Sequence, residues 1–185
     1  MTQQERGQSF GQNTDLSTRE TVRLKNNSLI AEMFMALEHG LERGGEPAIS
    51  KYYNKSKQNS DTEFYCETLR ENFDKILSKI IEELGDEFKD TTFFHAPNFL
   101  LLFCAVGFLS GILPSSKATE EFSKLRGAGV NWPNAKYRLG HLAESFNDHS
   151  SKKNEFNDFV NATKSTTHGL TSRKLRFGIL TKLLV

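Results

Sequence analysis

Hydroxyls and cations alternate through FVNATKSTTHGLTSRKLRF, residues 159–177. Thr171 or Ser172 stands where the last apolar-periodic stretch opens, so either can sit at a helix N-terminus, where free backbone N–H groups favour an anion. Arg173 and Arg176 are then one turn apart and can grip a phosphate between them, with Lys174 alongside. Ser172, Arg173, Lys174 and Arg176 are therefore the expected nucleic-acid contacts, and DNA phosphates the expected ligand. The same residues have a plainer use, in which Ser172 caps the helix and the arginines bind carboxylates on neighbouring helices.

Catalytic chemistry finds less to work with. The five histidines, His39, His95, His141, His149 and His168, are scattered. They form neither HExxH nor a His-Asn-His arrangement beside a strand pair. His141 and His149, two helical turns apart, can share a face with Glu144 and Asp148, so a metal site or a hydrolase built around His141 and Glu144 is the alternative to an ordinary solvated surface. No GxxxxGK[ST] loop, GxGxxG turn or GxSxG elbow occurs, which removes the backbone devices of nucleoside triphosphatases, dinucleotide enzymes and serine hydrolases. Glu82, Glu83, Asp86 and Glu87 cluster at a helix end, and such a run is usually a solvated face. The expectation is no catalytic residue, no metal and no cofactor. Cys66 and Cys104 lack any CxxC or Cys/His spacing and are expected to be reduced, buried and structural.

The elements that must position these residues are helical. From Ser28, Leu29, Met33, Ala36, Leu37 and Leu41 share one stripe, with Gly44-Gly45 as the stop. Pro47 opens a brief second helix, AISKYYNK, before a KSKQNSD loop. Asp61 can cap a long third helix, in which Phe64, Leu69, Phe73, Ile76, Leu77, Ile80, Ile81 and Leu84 recur at three- and four-residue steps until Gly85. The stretch NFLLLFCAVGFLSGIL, between Pro97 and Pro114, is apolar around its whole circumference and belongs at the centre. At roughly 16 residues it falls short of the ~20 a bilayer helix needs. Lys117–Arg126 reads as a short helix, GAGVNWPN as a loop anchored by Trp132, and Ala135–Phe146 and Glu155–Ala162 as helices. A last helix opens at Ser172 and carries Leu175, Phe177, Ile179, Leu180, Leu183 and Leu184. No period-2 strand stands out, so the fold class is all-α, an irregular multi-helix bundle around a central hydrophobic helix.

Composition agrees with one packed core. The 185 residues include 37% hydrophobic and 25% charged side chains, with 15 Phe against 4 Pro, a globular balance rather than a disordered one. Residues 1–16 are polar and are expected to be a disordered lead, with 17–185 a single helical domain whose first cap is Ser17-Thr18. The lead has neither a basic start nor an apolar stretch, so the reading is a cytoplasmic protein without a membrane partner. Net charge is +1, too small for a general polyanion coat. It hides a division: residues 1–113 carry 12 Lys+Arg and 17 Asp+Glu, or −5, and residues 114–185 carry 12 and 6, or +6. Such halves either pack on one another or leave a basic surface for a polyanion.

The segment TRETVRLKNNSLIAEMFMALEHG, with Arg23-Leu24-Lys25 ahead of an apolar helix and KYY following, resembles the middle of the DGQQR-motif proteins. These are the ParB/sulfiredoxin-like nuclease subunits typified by GmrSD-type modification-dependent restriction systems. The closing FNDFVNATKSTTHGLTSRKLRF, with Phe159, Ala162-Thr163, Thr166-Thr167, Arg173 and Arg176-Phe177, is similar to the end of that family's helical region. The resemblance runs over roughly residues 18–185. It implies a helical half without its reaction centre, because the family's DGQQR sequence lies in an upstream αβ domain. Gln3-Gln4-Glu5-Arg6 shares only a QQ pair with it, and the downstream His-Asn-His domain is missing too. What the resemblance implies is a non-catalytic defence or restriction domain that makes protein contacts and touches DNA, or a subunit that completes a separately encoded DGQQR-type nuclease or nucleotidase.

Overall fold

The structure, a computed structural model, describes residues 18–56, 63–88, 90–146, 156–164 and 167–185. The lead expected at residues 1–16, and the cap at Ser17, lie outside them. Seven α-helices appear among the described residues: α1 (Thr18–His39), α2 (Glu46–Ser56), α3 (Glu63–Phe88), α4 (Ala96–Leu109), α5 (Trp132–Glu144), α6 (Asn157–Lys164) and α7 (Leu170–Leu184). Two 3-10 turns, Thr92–Phe94 and Glu120–Leu125, join them, and no described residue is in a strand. The all-α class is what the periodicity led one to expect.

Helix α4 is the hub, packed against α1, α3 and α7. Every residue from Leu100 to Leu109 is buried, because a helix apolar all round finds its lowest free energy enclosed on all sides. Phenylalanines fill the space between elements. Phe73 meets Phe103 at 5.5 Å, and Phe177 takes the edges of Phe108 and Phe122 at 5.4 and 5.7 Å. No helix of the described residues is long and apolar enough to cross a membrane.

Glycine closes α4. Gly111 has φ +75°, its N–H reaches Phe108 O, and the Ile112 N–H reaches back to Gly107 O, a Schellman motif that satisfies the final carbonyls. Helix α1 stops five residues before the expected Gly44-Gly45. Gly40, at φ +76°, ends it, and a Cβ there would stand 2.7 Å from Pro114 O.

Other boundaries moved for identifiable reasons. Gly85 does not end α3, which runs on to the buried Phe88. Ile81, expected on the buried stripe of that helix, is 54% exposed. Within Lys117–Arg126 only Glu120–Leu125 is helical, as a 3-10 turn, and Trp132 opens α5 instead of lying in a loop. Pro133 falls in the first turn of α5, where its missing N–H costs nothing, and Asn131 caps it by accepting from Asn134 N.

Candidate functional site

Glu32 sits on the face of α1 that carries Leu29, Met33 and Ala36, and is therefore carried inward, to 7% exposure. A carboxylate in that position needs partners. Its Oε1 accepts the Gly45 N–H at 2.6 Å and its Oε2 accepts Arg173 Nη2 at 2.6 Å. The rest of the Arg173 guanidinium is taken by carbonyls: Nη1 donates to Glu42 O at 3.3 Å and Nε to Thr167 O at 3.4 Å. Gly44 lies against the guanidinium so closely that a Cβ would be 2.0 Å from Nη2. The exposed His168 ring brings Nδ1 to 3.4 Å from Arg173 Nη2 and 3.6 Å from Glu32 Oε1.

One turn further along α7, Arg176 is fully buried. Its donors reach Asn98 Oδ1 at 3.1 Å, Thr167 O at 2.8 Å, and, more loosely, Pro97 O and Ser172 O. Burial, followed by the neighbouring Arg173 charge, pushes the guanidinium down to about 10, still protonated at neutral pH. Asn98 is positioned in turn by donating to Thr92 O at 3.1 Å.

These contacts correct the expected phosphate cradle. Arg173 and Arg176 point into the protein, and their donors are occupied by a carboxylate, a carboxamide and carbonyls. Ser172 is not a cap: α7 begins at Leu170 with Gly169 as its N-cap, and Ser172 Oγ donates to Ala162 O at 2.8 Å. Lys174 alone faces outward, 3.0 Å from Glu121. The four residues expected to converge on one ligand instead tie α7 to α1, α4, α6 and the turn before α5.

Of the alternative site, His141 and Glu144 lie among the described residues. His141 Nδ1 is 3.4 Å from Glu144 Oε2 on an exposed face, with the Tyr137 ring edge-on at 4.5 Å. Asp148 and His149 lie outside the described residues. Among the described residues, no three His, Cys, Asp or Glu side chains are grouped to hold a metal ion. Two of the acidic run on α3 serve ion pairs: Lys79 and Lys136 hold the Glu83 carboxyl below the usual carboxylate range, and Lys79 also meets Glu82. Both cysteines are free, but Cys66 is exposed, contrary to the expectation, and Cys104 is buried.

The feature that sequence reasoning missed is a cleft of about 1400 Å³ above the Glu32–Arg173 pair. Its walls come from the middle of α1, the 43–45 turn, and the heads of α2, α4 and α7. Leu29, Ala48, Ile49, Phe94 and Pro97 give it apolar surface, and Arg43, Glu46, His95 and His168 line it with polar groups. A signal for its floor was present in the sequence. Glu32, three residues after Leu29 and four before Ala36, interrupts an otherwise apolar stripe. Comparison with protein-family models, with curated proteins and with solved structures finds no match.

Proposed function

We propose that this chain is a non-catalytic helical module of the cytoplasm that works through protein contacts, with the cleft as its contact surface. The supporting observation is the state of the charges on the cleft floor. Both oxygens of Glu32 are engaged, one by Arg173 and one by Gly45 N–H, so the pair holds the walls in place instead of offering a free acid or base. A recess with an apolar lining and a few polar groups at its edge suits recognition. On the resemblance to DGQQR-type defence proteins, the partner is a separate chain carrying the catalytic domain. Contact with DNA phosphates is the second reading, favoured by the +6 balance of residues 114–185, and it has to use exposed cations such as Lys174 in place of Arg173 and Arg176.

A photo-crosslinking residue placed at Pro47, on the cleft, and separately at Tyr137, on α5, tests this in cells that naturally make the protein. A discrete protein adduct from position 47 and none from 137 is the expected result. Equal labelling from both positions rejects the cleft as contact surface. A mobility-shift titration with duplex DNA at low salt tests the second reading, and binding that does not weaken with added salt excludes a phosphate contact.

A further inference from the structure

We propose that the segment received by this cleft is an acidic, apolar peptide, in which an Asp or Glu stands beside bulky apolar side chains. This rests on the reading of the cleft as a protein-contact surface. Four charged side chains line it: Glu32, Arg43, Glu46 and Arg173. Glu32 and Arg173 neutralise one another at 2.6 Å. Glu46 stands in the first turn of α2, where the positive end of its own helix offsets it.

Arg43 is left over. It is exposed, and no described residue bonds or pairs with its side chain. Its guanidinium is therefore available for a carboxylate, which it can take in two parallel hydrogen bonds. The surroundings add to this preference. The heads of α4 and α7 both open on the cleft without a side-chain cap, so their positive ends are not offset by a capping carboxylate. A basic segment would meet Arg43 and these helix ends without a free acid to pair with apart from Glu46. The volume of about 1400 Å³ exceeds the ~300–1000 Å³ of small-molecule pockets and leaves room for several residues of a partner. Leu29, Ala48 and Phe94, each partly exposed, supply the surface that its apolar side chains would cover.

Selection of a random twelve-residue phage-displayed peptide library on the full chain tests the proposal, with parallel selection on Arg43→Glu and on Ala48→Trp, which fills the cleft. Arg43 is exposed and pairs with no described residue, so its replacement should keep the fold, as circular dichroism checks. The expected result is enrichment of peptides with Asp or Glu flanked by Leu, Ile, Phe or Met, about tenfold weaker binding of those peptides to Arg43→Glu, and a shift of that variant toward Lys- and Arg-containing peptides. Enriched peptides that lack an acidic bias, or that ignore Arg43→Glu while Ala48→Trp abolishes them, overturn the acidic assignment and leave the contact surface standing. Peptides that bind Ala48→Trp as well as the parent chain, or no enrichment at all, overturn both. Duplex DNA binding that Arg43→Glu abolishes, with no peptide enriched, assigns the cleft to nucleic acid and also overturns both.

Discussion

Glu32 and Arg173 are 141 positions apart in sequence and 2.6 Å apart in the fold. Removing one member strands the other as a buried charge, so Glu32→Ala is expected to cost about 3–5 kcal/mol in a urea titration. Pairing it with Arg173→Met should recover most of that loss, since two apolar groups have no desolvation penalty to repay. A single-variant loss below about 1 kcal/mol is incompatible with the burial described. Cys104 offers a second residue-level test. Burial pushes its thiol up to about 12, whereas Cys66 is exposed, so a thiol reagent at pH 8 should label one cysteine in the native protein and a second only on unfolding. The sign of the pH effect follows. Between pH 9 and 12 the folded chain keeps a proton that the unfolded chain loses, so stability falls as pH rises through that window. Cys104→Ala should lack this component, and identical pH–stability curves would count against it. Of the site, the arginines were legible in the sequence but their direction was not. Helical spacing puts Arg173 and Arg176 on the same face as Phe177 and Leu180, yet composition alone favours water for a guanidinium, and only the distant Glu32 and Asn98 make burial tolerable.

Helices with one apolar stripe could be read directly, and those whose burial is mixed could not. Helix α7 hides two arginines while exposing Leu175 at 41%, so its pattern does not locate its start, and the head came at Leu170 instead of Ser172. Helix α4 was readable because uniform apolarity leaves it one place to go. Boundaries at glycine depended on backbone geometry that residue type leaves open: Gly40 ends α1 while Gly85 lies within α3. Two glycines make the distinction testable. Gly140, within α5, has nothing within 4 Å of a built Cβ, so Gly140→Ala should gain about 0.5–1 kcal/mol from helix propensity. Gly178, within α7, would place a Cβ 2.4 Å from Phe122 Cζ. The ring is buried and packs edge-on against Phe177, so overpacking of about 1–3 kcal/mol is expected to outweigh the propensity gain. Thermal melts of the two variants should move in opposite directions, and a stabilised Gly178→Ala would contradict the packing.

At the scale of the molecule, the acidic and basic halves meet in part through ion pairs. Glu32 with Arg173 and Glu83 with Lys136 each join a residue before 114 to one after it, so some of the charge division serves internal packing. The main apolar cluster runs from Met33 to Leu184 and includes α4, with Trp132 packed against its edge. Phe103→Ala should therefore cost about 3–5 kcal/mol and shift far-ultraviolet dichroism and Trp132 fluorescence together. Separate midpoints for the two probes would show that the cluster does not unfold as one. The order in which the pieces leave the ribosome matters as well. Helix α7 is synthesised after every helix it packs on, and until residue 176 has emerged the α1 carboxylate and Asn98 have no guanidinium to close around. The face of α4 that α7 covers stays open until α7 emerges, so elongation pauses upstream of α7 should lengthen the time in which the nascent chain can aggregate.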